Sequence, residues 1–188
     1  SEQGIADCNH LLTDNEIFIE RTRGIGICSA EDAIDFGLSG PILRGSGVAY
    51  DVRKALPYSV YDRFDFTIPT GTQGDVYDRY AVRMEEMRQS VGIVRQALDQ
   101  LPDGPILAKL PRSIRPPAGD AFVGVENPRG DFAVYLVSHG GNTPYRVKLR
   151  GPSFCNLMGL RHMLRGAYVA DAVVILGSLD IVLGEVDR

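Results

Sequence analysis

The sequence predicts an α+β chain, a mainly helical body carrying a small three-stranded antiparallel meander, and three observations point there. Tyr80, Met84, Met87, Val91, Val94, Leu98 and Leu101 recur at alternating four- and three-residue steps, which places them on one stripe of a long helix. Residues 122–126, 132–137 and 145–149 are short β-prone runs separated by Asn127-Pro128-Arg129-Gly130 and by Ser138-His139-Gly140-Gly141-Asn142. Helical patterning then returns after residue 153 and leads into an apolar stretch over 168–176. At 188 residues the chain supports one domain, or one and a half, with a real core.

Composition narrows the function classes. A net charge of −4 supplies no electrostatic reason for nucleic-acid binding. No run approaches the roughly 18 to 20 consecutive apolar residues that span a bilayer, so work at a membrane requires partners to hold the chain there. Cys8, Cys28 and Cys155 are widely separated and form no CxxC pair, which disfavours a disulfide framework and a self-contained metal or iron–sulfur site and fits a reducing cytoplasm. Cys8-Asn9-His10 lacks further ligands at zinc spacing. The opening SEQGIADCNH has neither a basic n-region nor an apolar h-region, and its abrupt start is expected of the later part of something longer.

The chain is divided into residues 1–110, a loop-rich segment and the long helix; 111–152, the meander; and 153–188, helices and a tail. Gly24-Ile25-Gly26 lacks the third glycine, the preceding strand and the ribose-binding acid of a dinucleotide loop. Ser29 is expected to cap a short helix, with Glu31 and Asp32 in its first turn and Gly37 at its end. Residues 39–75 read as irregular, punctuated by glycine and proline, and either a solvated loop or a partner surface rich in Tyr and Arg.

The long helix is expected over residues 75–101. Arg79 and Arg83 lie four apart on one of its faces and repel slightly, so the pair is expected beside an acid or an anion. After a Pro- and Arg-containing linker at 111–117, Tyr145, Val147 and Leu149 are expected to form the buried face of the third strand, and His139 a solvated turn. Phe154, Leu157, Leu160 and Leu164 are expected to face the core, Gly166 to break the helix, and Asp171 to pair with Arg161 or Arg165. In the last eleven residues Ile181, Leu183 and Val186 interleave with Asp180, Glu185 and Asp187, the pattern of an anchored tail.

Several blocks, in order and spacing, resemble one family nearly end to end. They are Arg44-Gly45-Ser46-Gly47 with Asp51-Val52-Arg53-Lys54 and Pro57-Tyr58; Gly74-Asp75-Val76-Tyr77-Asp78-Arg79-Tyr80 with Arg83 and Glu85-Glu86-Met87-Arg88-Gln89-Ser90; Glu126-Asn127-Pro128-Arg129-Gly130; and the closing run from Asp180 to Arg188. Together they resemble the 49-kDa (D) subunit of respiratory complex I, the proton-pumping NADH:quinone oxidoreductase. The family's subunit is longer, and its N-terminal half carries the His and Tyr used at the quinone headgroup. Between Pro111 and Asp120 the chain is shorter than most members, which brings it nearer to short relatives such as deazaflavin-type dehydrogenase subunits.

The family is related to the large subunits of nickel–iron hydrogenases, which implies a helical body of that type. Ser178 and Asp180 match the hydrogenase tail, but Val182 and Glu185 stand where its two cysteines would be. Neither supplies the soft thiolates of a nickel site.

The resemblance implies that Asp180, Val182, Glu185 and Arg188 line part of a quinone cavity. Val182, with Ile181 or Leu183, would be apolar wall; Asp180 and Glu185 would tune charge or relay protons; Arg188 would pair with them. Arg44, Arg53, Arg79 and Arg83 are assigned to structural ion pairs or subunit contacts. The chain alone is expected to hold no catalytic residue, metal or cofactor and to be inactive in isolation. The resemblance implies quinone as the substrate and places NAD binding in the larger complex. It likewise implies that electrons come from an iron–sulfur cluster in a neighbouring subunit. The implied partners are that iron–sulfur subunit, other peripheral-arm subunits and membrane-arm subunits, at the cytoplasmic side of the cell membrane. Two alternatives stay open: a subunit of a deazaflavin- or ferredoxin-dependent relative, and a redox-silent scaffold fragment.

Overall fold

The computed structural model describes residues 2–109 and 111–187. Helix α1 (Glu2–Cys8) continues into a π turn and is followed by α2 (Glu16–Glu20) and α3 (Ala30–Asp35). Then come α4 (Gly40–Gly45), α5 (Val52–Ala55) and the long α6 (Val76–Asp99). The meander is β1 (Ala118–Asn127), β2 (Gly130–His139) and β3 (Arg146–Arg150), antiparallel in the order β1-β2-β3. Helices α7 (Pro152–Asn156), α8 (Leu160–Met163), α9 (Asp171–Ser178) and α10 (Leu183–Val186) complete the chain. The architecture is α+β, as the sequence predicts.

Local chemistry explains the element ends. Ser29 Oγ accepts the Asp32 N–H at 3.1 Å and caps α3, and Gly37 leaves the helix at a φ of 65°. Asp75 caps α6 through the Asp78 N–H at 2.8 Å. The core joins distant parts of the chain: Cys28, Leu38, Ile42, Val76, Ile175 and Leu179 are buried together, with Leu157, Leu160 and Leu164 packed against them.

Four expectations are corrected. Residues 39–75 contain α4, α5 and a 3₁₀ turn at Tyr61–Arg63, and every residue of α4 is buried. Gly40-Pro41 reads as a breaker, yet proline in the first turn forfeits no helical hydrogen bond. On α6 the buried residues are Val76, Arg79, Val82, Met84 and Ile93, whereas Met87, Val94 and Leu98 are exposed, as is Leu101 beyond its end: the side that packs against α4 and α9 is not the whole apolar stripe. The alternating face of β3 is open: Tyr145, Val147 and Leu149 are exposed on an edge strand, as is Phe154 beside it on α7. Asp171 pairs with Arg21 at 2.8 Å, not with Arg161 or Arg165. That contact is charge against charge without hydrogen-bond alignment, and Asp171 Oδ2 accepts the Tyr168 N–H at 3.2 Å.

The hairpin docks onto α4 through two glycines. Asn127 pairs with Gly130 across the Pro128-Arg129 turn, and Gly40 and Gly130 have φ of 67° and 133°. A Cβ on Gly40 would lie 2.4 Å from Gly130 Cα, and one on Gly130 would lie 2.5 Å from Ser39 Oγ. Only glycine at both positions lets the two backbones approach this closely.

Candidate functional site

Arg79 and Arg83 occupy the inner face of α6. Arg79 is fully buried and spends its guanidinium on neutral acceptors: Nε donates to Ser178 Oγ, Nη1 to the Gly74 carbonyl and Nη2 to the Gly26 carbonyl, each at 2.9 Å. The Gly24-Ile25-Gly26 segment therefore cradles an arginine, and Asp75 braces it by accepting the Gly24 N–H at 2.8 Å. Among the described residues no carboxylate bonds to Arg79. Burial, with the Arg83 cation adding to it, pushes the Arg79 pKa down to about 10 against the opposing pull of Cys28, Asp75 and Asp78.

Arg83 matches the expected acid more closely. Its Nη2 donates to the Ser178 carbonyl at 2.6 Å and its Nη1 to the Arg79 carbonyl at 3.1 Å, while Nε lies 4.0 Å from Asp180 Oδ2. Nε makes no hydrogen bond. Burial lowers its pKa, with Asp180 and Glu86 opposing.

The two arginines thus grip Ser178, and the tail leaves from that point. Leu179 is buried, and Asp180 turns the chain at a φ of 50°, a left-handed conformation that Asp tolerates better than most residues. Arg129, from the β1–β2 turn, donates Nε to the Asp180 carbonyl at 3.2 Å and Nη2 to its carboxylate at 3.3 Å. Beyond it, the Val182 N–H donates to Ser153 Oγ at 3.1 Å. Glu185 Oε2 accepts both the Ser153 N–H at 3.1 Å and the Ser153 hydroxyl at 2.5 Å. The tail is anchored, as its interleaved pattern predicts; the expected pairing of Arg188 lies outside the described residues.

A second charged node lies alongside. Arg44, 2% exposed, donates Nε to Glu86 at 2.5 Å, Nη2 to Glu126 at 3.0 Å and Nη1 to the Tyr50 carbonyl at 2.9 Å, with Asp51 at 3.9 Å. Burial works against its cation, but the three carboxylates win and raise its pKa. Asp51 is gripped by Arg53 through contacts at 2.6 and 3.0 Å, and this overcomes burial to hold its pKa below the usual carboxylate range. Glu126 goes the other way. Burial and the nearby Asp51 charge outweigh Arg44 and raise its pKa, because one cation is shared among three acids.

The two nodes meet at a cavity of about 440 Å³ walled by Arg44, Arg53, Arg83, Glu86, Tyr61 and Asp180, among others. Of the tail residues singled out by the sequence, Asp180 faces this cavity. Glu185 faces a different one of about 350 Å³, beside Lys148 and Phe154. Val182 is exposed and in neither lining. Arg44, Arg53, Arg79 and Arg83 all hold structural bonds.

The cavity can host a polar group between opposed charges, with Glu86, Glu126 and Asp180 as acids and Arg44, Arg53 and Arg83 as cations. Among the described residues no group of three or more His, Cys, Asp or Glu is placed to hold a metal, and no helix is long and apolar enough to cross a membrane. Sequence reasoning passes over Ser153, Asn156 and Arg129 as site residues. Arg129 stands in a turn, and a lone serine or asparagine carries no periodic signal.

Known proteins fit this picture. The family model for "Respiratory-chain NADH dehydrogenase, 49 Kd subunit" matches residues 1–117 and 110–188. The NADH-quinone oxidoreductase D subunit of Desulforamulus reducens is 55% identical over 185 residues, covering 98% of this chain and 50% of that protein. A D subunit of the same oxidoreductase from Solibacter usitatus is 52% identical over 184 residues, with 98% and 50% covered, and that of Bacillus cereus is 52% identical over 184 residues, with 97% and 50% covered. The chain spans about half the length of the curated relatives it matches. Matched along its whole length by the family model, the chain belongs to the 49 kDa subunit family of respiratory-chain NADH dehydrogenase.

Proposed function

We propose that this chain is part of the quinone-reducing module of a proton-pumping NADH:quinone oxidoreductase and forms part of the quinone cavity wall. The observation that carries the reading is the docked tail: in a chain of this family, Asp180 lies between Arg83 and Arg129 on the lining of a charged cavity. Reduction of a quinone to the quinol consumes two electrons and two protons, so its cavity needs an apolar wall and a few placed polar groups. Asp180 sets charge at this cavity, while exposed Val182 and Glu185, which faces the neighbouring cavity, belong to the wall that partner subunits complete. Arg44, Arg53, Arg79 and Arg83 hold the frame.

The electrons come from an iron–sulfur cluster in a neighbouring subunit, and NADH is oxidised elsewhere in the complex. The partners are the iron–sulfur subunit and other peripheral-arm and membrane-arm subunits, which hold the chain at the cytoplasmic side of the membrane.

The test is quinone reductase activity of the assembled complex carrying Val182→Trp, with NADH as donor. Loss of quinone turnover with transfer to an artificial acceptor preserved supports the reading. Full quinone activity with unchanged KM and inhibitor sensitivity defeats it.

A further inference from the structure

One turn of α7 holds the three described tail residues singled out above. Ser153 and Asn156 lie three residues apart and are both fully buried. A serine hydroxyl carries one donor, and Ser153 uses it on Glu185 Oε2 while its oxygen accepts the Val182 N–H. One oxygen atom thereby ties both Val182 and Glu185, themselves joined by the Glu185 N–H to Val182 carbonyl bond at 2.9 Å, to α7.

Asn156 reaches the third residue through Arg129. Its Oδ1 accepts the Ser39 N–H at 3.0 Å and its Nδ2 donates to the Arg129 carbonyl at 3.0 Å. Arg129 then binds Asp180 by its guanidinium. The link to the helical body closes where Ser39 Oγ accepts the Asp131 N–H at 3.2 Å.

We propose that Ser153 is the positioning residue for the quinone-cavity tail, with Asn156 as its support on the Arg129 side. The inference rests on the reading of the tail as cavity wall and deepens it, since Ser153 acts on quinone only through Val182 and Glu185. Burial gives the geometry its force. With no accessible surface at Ser153, removing the hydroxyl leaves the Val182 N–H without its acceptor and Glu185 with one donor fewer, and water has little room to substitute.

The test uses the assembled complex bearing Ser153→Ala, Ser153→Cys, Ser153→Thr or Val182→Trp. It reads amide exchange of the peptide containing Val182, KM and kcat for a soluble short-chain quinone, and transfer to an artificial acceptor. In Ser153→Ala, exchange at Val182 and KM should each rise about tenfold, the scale of one lost hydrogen bond to a charged or backbone group, with artificial-acceptor activity unchanged. Threonine keeps the hydroxyl but must fit an extra methyl into a fully buried site, so it should recover both in part, and cysteine should also fall between; if the alanine variant does not assemble, the cysteine variant carries the comparison. Unchanged exchange overturns the clamp. Faster exchange with unchanged KM, while Val182→Trp does shift KM, overturns the positioning role alone. If neither variant shifts KM, the cavity-wall reading fails and the proposal falls with it.

Discussion

Arg79 Nε donates to Ser178 Oγ at 2.9 Å in the buried space between α6 and α9, and the Ser178 hydroxyl in turn donates to the Ile175 carbonyl at 2.7 Å. This contact pins the tail's starting point to the long helix. Truncating Arg79→Ala strands three buried neutral acceptors and should cost about 3 kcal/mol, on the scale of about 1–3 kcal/mol for each buried group left unpaired, less what is regained by no longer burying a cation. Arg79→Lys cannot reproduce three bonds held in a planar fork and should recover only part of the loss. Urea denaturation followed by circular dichroism checks both; equal stability of all three proteins would contradict the account.

Much of this frame is legible in the sequence, and the rest is hidden for identifiable reasons. The long helix is announced by its four-three repeat, yet the repeat cannot say that Val94 and Leu98 stay open, because burial depends on what packs there. Helix α4 is obscured because Gly40-Pro41 resembles a loop, and its reason lies with Gly130, ninety positions away in sequence. The anchored tail shows in the alternation around Asp180 and Glu185. Its anchors do not show: Ser153 and Asn156 act by place, and place is set by the packing of α7 under the hairpin.

The glycine contact between hairpin and body offers a contrast. Gly40→Ala combines a left-handed φ with a Cβ 2.4 Å from Gly130 Cα, a backbone atom that cannot swing aside. The loss should exceed about 3 kcal/mol, from backbone strain plus overpacking. Gly24→Ala has a similar φ of 68° but meets nothing within 4 Å, so only the roughly 1–2 kcal/mol of left-handed strain should appear. Thermal denaturation of the two variants separates strain from collision.

Glu126 sets part of the acid response. Its folded pKa is raised above the ordinary 4.5 by burial and by Asp51, so the folded state holds its proton at pH values where the unfolded state has released it. By linkage, this group makes folding stability fall as pH climbs from 4.5 through its raised value. Asp51 has the opposite sign: its lowered pKa contributes stability above the ordinary 3.8, lost as pH falls through its folded value. Glu126→Gln should therefore remove the first slope and keep the second. Urea midpoints from pH 3 to pH 7, compared between the two proteins, read this directly.

Asp180 separates charge from backbone. It is 44% exposed in its side chain, so its ion pairs with Arg83 and Arg129 carry little stability, about 1 kcal/mol at most. Asp180→Asn keeps tolerance of the left-handed φ and an oxygen for Arg129, but removes the negative charge facing the cavity. Asp180→Gly removes the side chain with no backbone strain, and Asp180→Ala adds roughly 1–2 kcal/mol of strain to the same deletion. If the charge matters to quinone chemistry, Asn and Gly should lower quinone reductase activity of the assembled complex by about tenfold together, consistent with loss of one electrostatic contact. Stability should then follow a different order, with Ala the weakest. A quinone activity that tracks stability instead, worst in Ala and normal in Asn, would mean that Asp180 serves the turn and that the charge between Arg83 and Arg129 has no part in the chemistry.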